Sequence, residues 1–187
     1  MERTMLEQII DMFWNKAVEL MHRDNNLIPV IFGLKLSEPY SLEITNLVPE
    51  MQRYDWGNSD DRYSMYYSAF QKVKKNDLTG LVSISESWTT TIDVEGLKGL
   101  GYDPNTFKSS GEFIQLREIY PEMFNKTESI ILYIDWEGSN RLVWGKVFRE
   151  NENPDGKVAH VSEYVEFAEG QIDGLIQEAK INALNEA

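Results

Sequence analysis

Thr79 to Ile92 reads TGLVSISESWTTTI. The run is β-rich and alternates at period 2, which predicts a strand with Val82, Ile84, Trp88 and Ile92 on one face and Ser83, Ser85, Ser87 and Thr89 on the other. Glu86 and Thr90 fall on the apolar face by the same count, so a carboxylate is expected among core positions. Two later runs, Ser129 to Trp136 and Arg141 to Arg149, flank Gly138-Ser139-Asn140 and predict a hairpin that brings Trp136 and Trp144 together. Nothing else of comparable length is available to pair with them, which makes the Glu86 segment a central strand.

Upstream, Thr4 and Glu7 have capping-box spacing, and Leu6, Ile9, Ile10, Phe13, Ala17, Leu20 and Met21 recur at helical spacing. A helix is expected from about residue 5 to 23. Trp14 and Val18 widen its apolar face beyond one stripe, which predicts cover on two sides or docking of a second copy, and hence a homodimer. Leu27 to Leu36 and Leu42 to Val48 read as antiparallel strands joined by a turn over Ser37 to Tyr40. Asp60 to Lys75 reads as a second helix with Asp60 and Asp61 in its first turn and Lys72, Lys74 and Lys75 in its last, and with Tyr63, Tyr66, Tyr67, Phe70 and Val73 facing the core. Asp93 to Gly111 carries glycines at 96, 99, 101 and 111 and is expected to be functional, mobile or partly helical. Phe113 to Ile119 and Lys157 to Phe167 read as further strands, and Ile172, Leu175, Ile176, Ala179 and Ala183 as a closing amphipathic helix.

The chain holds 18 Lys plus Arg against 31 Asp plus Glu, a net charge of −13. Such a balance opposes binding to nucleic acid or to an anionic membrane surface and favours a protein partner of basic character. No run approaches the roughly 18 apolar residues of a membrane span. The N-terminal acids Glu2, Glu7 and Asp11 are foreign to signal and transit peptides. The absence of cysteine excludes disulfides, thiol nucleophiles and thiolate metal sites, and fits a cytoplasmic location. At 187 residues a single globular domain is the simplest reading.

Glu86 is the candidate catalytic residue, because a carboxylate on a core face has the shifted pKa that acid-base chemistry uses. Arg117, Lys146 and His160 are its expected partners, and Glu86, Trp88, Trp56, Lys146 and His160 are the candidate binding residues. The competing reading leaves Glu86 in solvent or in a structural ion pair, Trp56 as a lid over the core, and His160 as an ordinary strand residue. With two histidines far apart and no HExxH or HxH spacing, no metal is expected; with GLKGLG at Gly96 to Gly101 short of the full glycine fingerprint, no cofactor is expected.

LVSISESW at Leu81 to Trp88, followed by SIILYIDWEGSNRLVWGKVF at Ser129 to Phe148, resembles small bacterial and phage α+β proteins of unknown function that carry a strand ending Ser-Glu-x-Trp. The resemblance implies a fold and no site. The acidic composition is similar to that of immunity and antitoxin proteins, which neutralise a basic toxin domain. The expected architecture is α+β, a largely antiparallel sheet of five to seven strands with helices on one face, in the order α-β-β-α-β-β-β-β-β-α. The expected function is a non-catalytic protein-interaction module. The alternatives are a small-ligand domain with its pocket near 93–111, and an enzyme using Glu86.

Overall fold

The computed structural model describes residues 4–37, 41–47, 55–103, 110–153, 155–166 and 174–185. Tyr54, Pro104, Phe167, Ile172 and most of the 37–40 turn lie outside them. The elements are α1 (Met5–Asp24), β1 (Val30–Ser37), β2 (Ser41–Asn46), α2 (Ser59–Lys75), β3 (Gly80–Ile92), α3 (Val94–Gly99), α4 (Ser110–Ile119), β4 (Phe124–Trp136), β5 (Ser139–Arg149), β6 (Val158–Val161), β7 (Val165–Glu166) and α5 (Gly174–Asn185). The class is α+β, as expected. The strands form one antiparallel sheet in the order β2-β1-β3-β4-β5-β6, with β7 also on β5. The central position assigned to β3 is the observed one. No described helix is long and apolar enough to cross a membrane.

Compact packing divides the chain into Met1–Glu86 with Ile130–Ala187, and Ser87–Ser129. In the first unit the period-2 alternation of the strands sorts side chains onto two faces, and each face has its own helices. Val82, Ile84, Leu132, Ile134, Val143 and Val147 pack with Phe13, Trp14, Ala17 and Met21 of α1. Leu81, Tyr133, Leu142 and Ile31 pack with Tyr66 and Phe70 of α2 and Ile176 and Ala179 of α5. The expectation of helices on one face is therefore corrected: both phases of the alternation carry buried apolar side chains, Val82, Ile84, Leu132 and Ile134 in one and Leu81, Tyr133 and Leu142 in the other, and both need cover. The same alternation separates the two hairpin tryptophans. Trp136 shares the α1 face with Ile134, whereas Trp144 shares its phase with Leu142 on the opposite face.

The wide face of α1 is covered within the chain. Trp14 is 5% exposed, meets Tyr164 edge-on at 5.4 Å between ring centroids, and lies over Gly145. A Cβ at Gly145 would sit 2.7 Å from the indole, so only glycine leaves room for this ring. The reason that α1 offered for a second copy is thereby removed.

The second unit is built on a small cluster of Leu97, Leu116 and Phe124, with Tyr120 and Met123 against it. Phe113 to Ile119, expected as a strand, lies in α4: Tyr120 N–H donates to Leu116 O at 2.8 Å, and the Leu116–Tyr120 spacing of four is helical. Short apolar runs satisfy either period, and here the helical one prevailed. The glycine-rich stretch is partly helical, since Asp93 caps α3 by accepting from Gly96 N–H at 2.9 Å.

α1 ends on Asn25, which adopts φ 61°. Its side chain then ties three segments together. Asn25 Nδ2 donates to Gly156 O at 3.2 Å, and Val158 N–H donates to Asn25 Oδ1 at 2.8 Å. Arg149 reaches the same place, donating to Gly156 O at 2.8 Å and to Asn25 O at 3.3 Å. Asn25→Ala is expected to lower unfolding stability by about 2–4 kcal/mol, from left-handed backbone cost plus lost hydrogen bonds. Asn25→Gly, free of the backbone cost, should lose less. Urea unfolding of the pair measures both.

Candidate functional site

Two places in the first unit combine exposed or buried polarity with defined geometry. The first lies between the sheet and the α2–α5 layer. Ser83 and Ser85 on β3 are buried, as are Tyr133 and Asp135 on β4. Tyr66 of α2 and Ser83 share a 2.7 Å hydrogen bond between hydroxyls. Tyr133 OH donates to Asp135 Oδ2 at 3.2 Å, and Lys180 Nζ of α5 donates to the same carboxylate oxygen. The Lys180 and Asp135 side chains are 18% and 11% exposed, so this ion pair is largely out of water. Burial, then the charge of Asp135, then the hydrogen bond to it hold the Tyr133 phenol well above its ordinary value of 10.0, with Gln177 opposing weakly. Among the described residues no hydrogen-bond acceptor meets the buried Gln177 Nε2.

This cluster pins α5 to the sheet. It cannot receive a reactant while Ser83 is 3% and Tyr133 1% exposed. The Tyr66 and Ser83 hydroxyls bond each other, and the Tyr133 hydroxyl and Lys180 ammonium both bond the Asp135 carboxylate, as burial demands of them. The period-2 reading placed the serine face of β3 correctly and took it for the less buried one. A Tyr-Ser pair across two elements leaves no local signal in the sequence.

The second place is the outer side of β2. β1 and β2 pair in unbroken register from Phe32↔Asn46 to Ser37↔Ser41. Leu47 N–H donates to Ile31 O at 2.9 Å, which in this register makes Ile31 and Leu47 a hydrogen-bonded pair. Alternation then joins Thr45 to Gly33 and Glu43 to Lys35, and turns the N–H and C=O of Leu42 and Ile44 outward. The β1 residue opposite Leu42 obeys the same rule, since Leu36 N–H donates to Thr79 Oγ1 at 2.9 Å on the β3 side. No described strand lies beyond β2, and Ile44 is 47% exposed.

The candidates chosen from sequence do not assemble. Glu86 is half-buried, and its Oε2 accepts from the backbone N–H of Leu27 at 3.1 Å. A described partner of this carboxylate is thus an amide that secures the entry to β1. Lys146 lies on β5, two strands from β3. It also shares its phase with Leu142 on the α2 side, whereas Glu86 shares that of Val82 and Ile84 on the α1 side. The expected Glu86–Lys146 pair is therefore corrected. His160 is one strand further, is exposed, and stacks on Phe148 at 5.8 Å and 20°. A bulge between Phe148 and Arg149 puts Val158 and His160, two residues apart, on different faces. Trp56 tilts against Tyr66 at 6.0 Å, with Arg62 donating to its carbonyl at 2.8 Å, and so takes the lid position. Trp88 is 56% exposed and not a core residue: β1 pairing stops at Val30↔Ile84, and β3 runs on past it. Arg117, on α4, is exposed and belongs to the other unit.

No protein-family model, curated protein or solved structure matches this chain.

Two predictions follow from the buried cluster. Lys180→Met should lower stability by about 3 kcal/mol by stranding the Asp135 charge, and Lys180→Met with Asp135→Asn should recover at least about 1 kcal/mol of that loss in a double-mutant cycle. The second concerns alkaline pH. Because the folded Tyr133 holds its proton more tightly than the unfolded chain does, its contribution is complete below pH 10.0 and falls as pH rises above that value. Tyr133→Phe should flatten the stability decline above pH 10.0, measured against the parent chain in the same buffers.

Proposed function

We propose that this protein is a non-catalytic interaction module that takes up an extended protein segment along the outer side of β2. The observation that carries this reading is the condition of that edge. Native sheets commonly guard an edge with proline, lysine, a bulge or a covering element. The segment Ser41–Asn46 reads SLEITN, without proline or lysine, and its register with β1 has no shift. The opposite edge is guarded: β6 is four residues long, meets β5 across a bulge, and is separated from the two-residue β7 by a break. At that break Ser162 Oγ accepts from Lys146 N–H at 2.9 Å. A strand added to β2 would bond to the outward groups of Leu42 and Ile44 and place a side chain against Ile44.

Ile44→Pro separates this edge from the fold, because it removes an N–H that β1 does not use. Affinity capture with the parent chain should retain a protein that Ile44→Pro loses and that Phe148→Ser, on β5 next to the opposite edge strand β6, keeps. Equal capture by all three would contradict the reading.

A further inference from the structure

Resting on that reading, we infer that the segment which fits β2 is β2 of a second copy, the two strands running antiparallel about a twofold axis at Ile44. The first argument is the geometry of the ladder. An added antiparallel strand must bring its own outward-facing residues opposite Leu42 and Ile44, so only registers that pair even-numbered with even-numbered positions are open to a second β2. Two of these overlap over five residues of Ser41–Asn46. One centres on Glu43 and sets that carboxylate against its own copy, and like charges directly opposite are destabilising. The other centres on Ile44. It pairs Ile44 with Ile44 of the second copy, sets Glu43 against Thr45 and Leu42 against Asn46, and places no like charges face to face.

The second argument is charge. The net −13 of the chain favours a basic partner at long range, but the edge itself does not. Glu43 is the only charged residue of β2, and Lys35 stands directly across from it on β1, so the local charge is balanced. Nothing at the contact selects a basic strand over a neutral one. The half-exposed Ile44 selects an apolar residue, and a second copy supplies it. Repulsion between the two acidic bodies is carried largely by charges away from the contact, so added salt screens it. A five-residue strand pairing is small beside the roughly 1,200–2,000 Å² of a stable interface, which makes this a reversible, concentration-dependent dimer.

The absence of native cysteine makes the test clean. In the pairing centred on Ile44, the two Ile44 Cα atoms lie about 5.5 Å apart, within the roughly 4.4–6.8 Å that a disulfide spans. Under mild oxidation the Ile44→Cys chain should become a covalent dimer. Glu43→Cys alone should stay monomeric, and Glu43→Cys mixed with Thr45→Cys should yield the mixed dimer. Sedimentation of the parent chain should show more dimer at higher protein and higher salt, and Ile44→Pro should be monomeric throughout. Cross-linking of Glu43→Cys alone as readily as Ile44→Cys would overturn the register. A parent chain that remains monomeric, with Ile44→Cys uncross-linked, would overturn self-pairing. In that case, loss of a captured protein on Ile44→Pro still leaves the open edge as a site for another chain, and no loss removes both.

Discussion

Burial of β3 and β4 on both faces is the constraint on which the first unit depends. A strand with one solvated face needs apolar residues at alternate positions; one covered on both sides must account for every side chain. Val82 and Ile84 meet α1, while Leu81 and Ser83 meet the α2 side. Close approach of the strands is built into the same segment, because a Cβ at Gly80 would collide with the carbonyl of Asp135. Helix α1 supplies most of the cover on one face with large side chains. The other face is closed by two helices, and α5 contributes mainly Ile176, Ala179 and Ala183.

That difference explains where polar groups were admitted to the interior. Small alanines on α5 let the helix approach, and the space is shared with Lys180 and Gln177. A buried ion pair contributes little net stability, since desolvation offsets most of the attraction, yet removing one partner is costly. Lys180 and Asp135 therefore fix where α5 sits more than how strongly it is held. The Tyr66–Ser83 bond does the same for α2 against β3.

Much of this was legible in the chain. The capping box at Thr4 and Glu7 and the charge-graded α2 are local signals with local causes, and each is found where the spacing put it, while the β4–β5 hairpin turns at Glu137 and Gly138, with Ser139 and Asn140 already in β5. What could not be read was two-sided cover. Ser83 and Ser85 look like solvent-facing residues, yet both are buried, and Ser83 bonds Tyr66 of a separate helix. The same limit applies to Glu86: one bond of its carboxylate runs to a backbone amide 59 positions away, which no local pattern announces. Alternation predicts a side chain's face only while the strand stays regular, and at the bulge by Phe148 and Arg149 it fails for Val158 and His160. The open edge was invisible for another reason: which backbone groups point outward depends on register, and SLEITN alone does not state it.

The same ladder has a direct observable, namely the exchange rate of individual amide hydrogens along β2. In dilute solution Glu43 and Thr45, bonded to β1, should exchange slowly, while Leu42 and Ile44 exchange quickly, and raising the protein concentration should slow Ile44. Uniform protection of all four amides in the dilute monomer would contradict the account, because Leu42 and Ile44 would then already be paired.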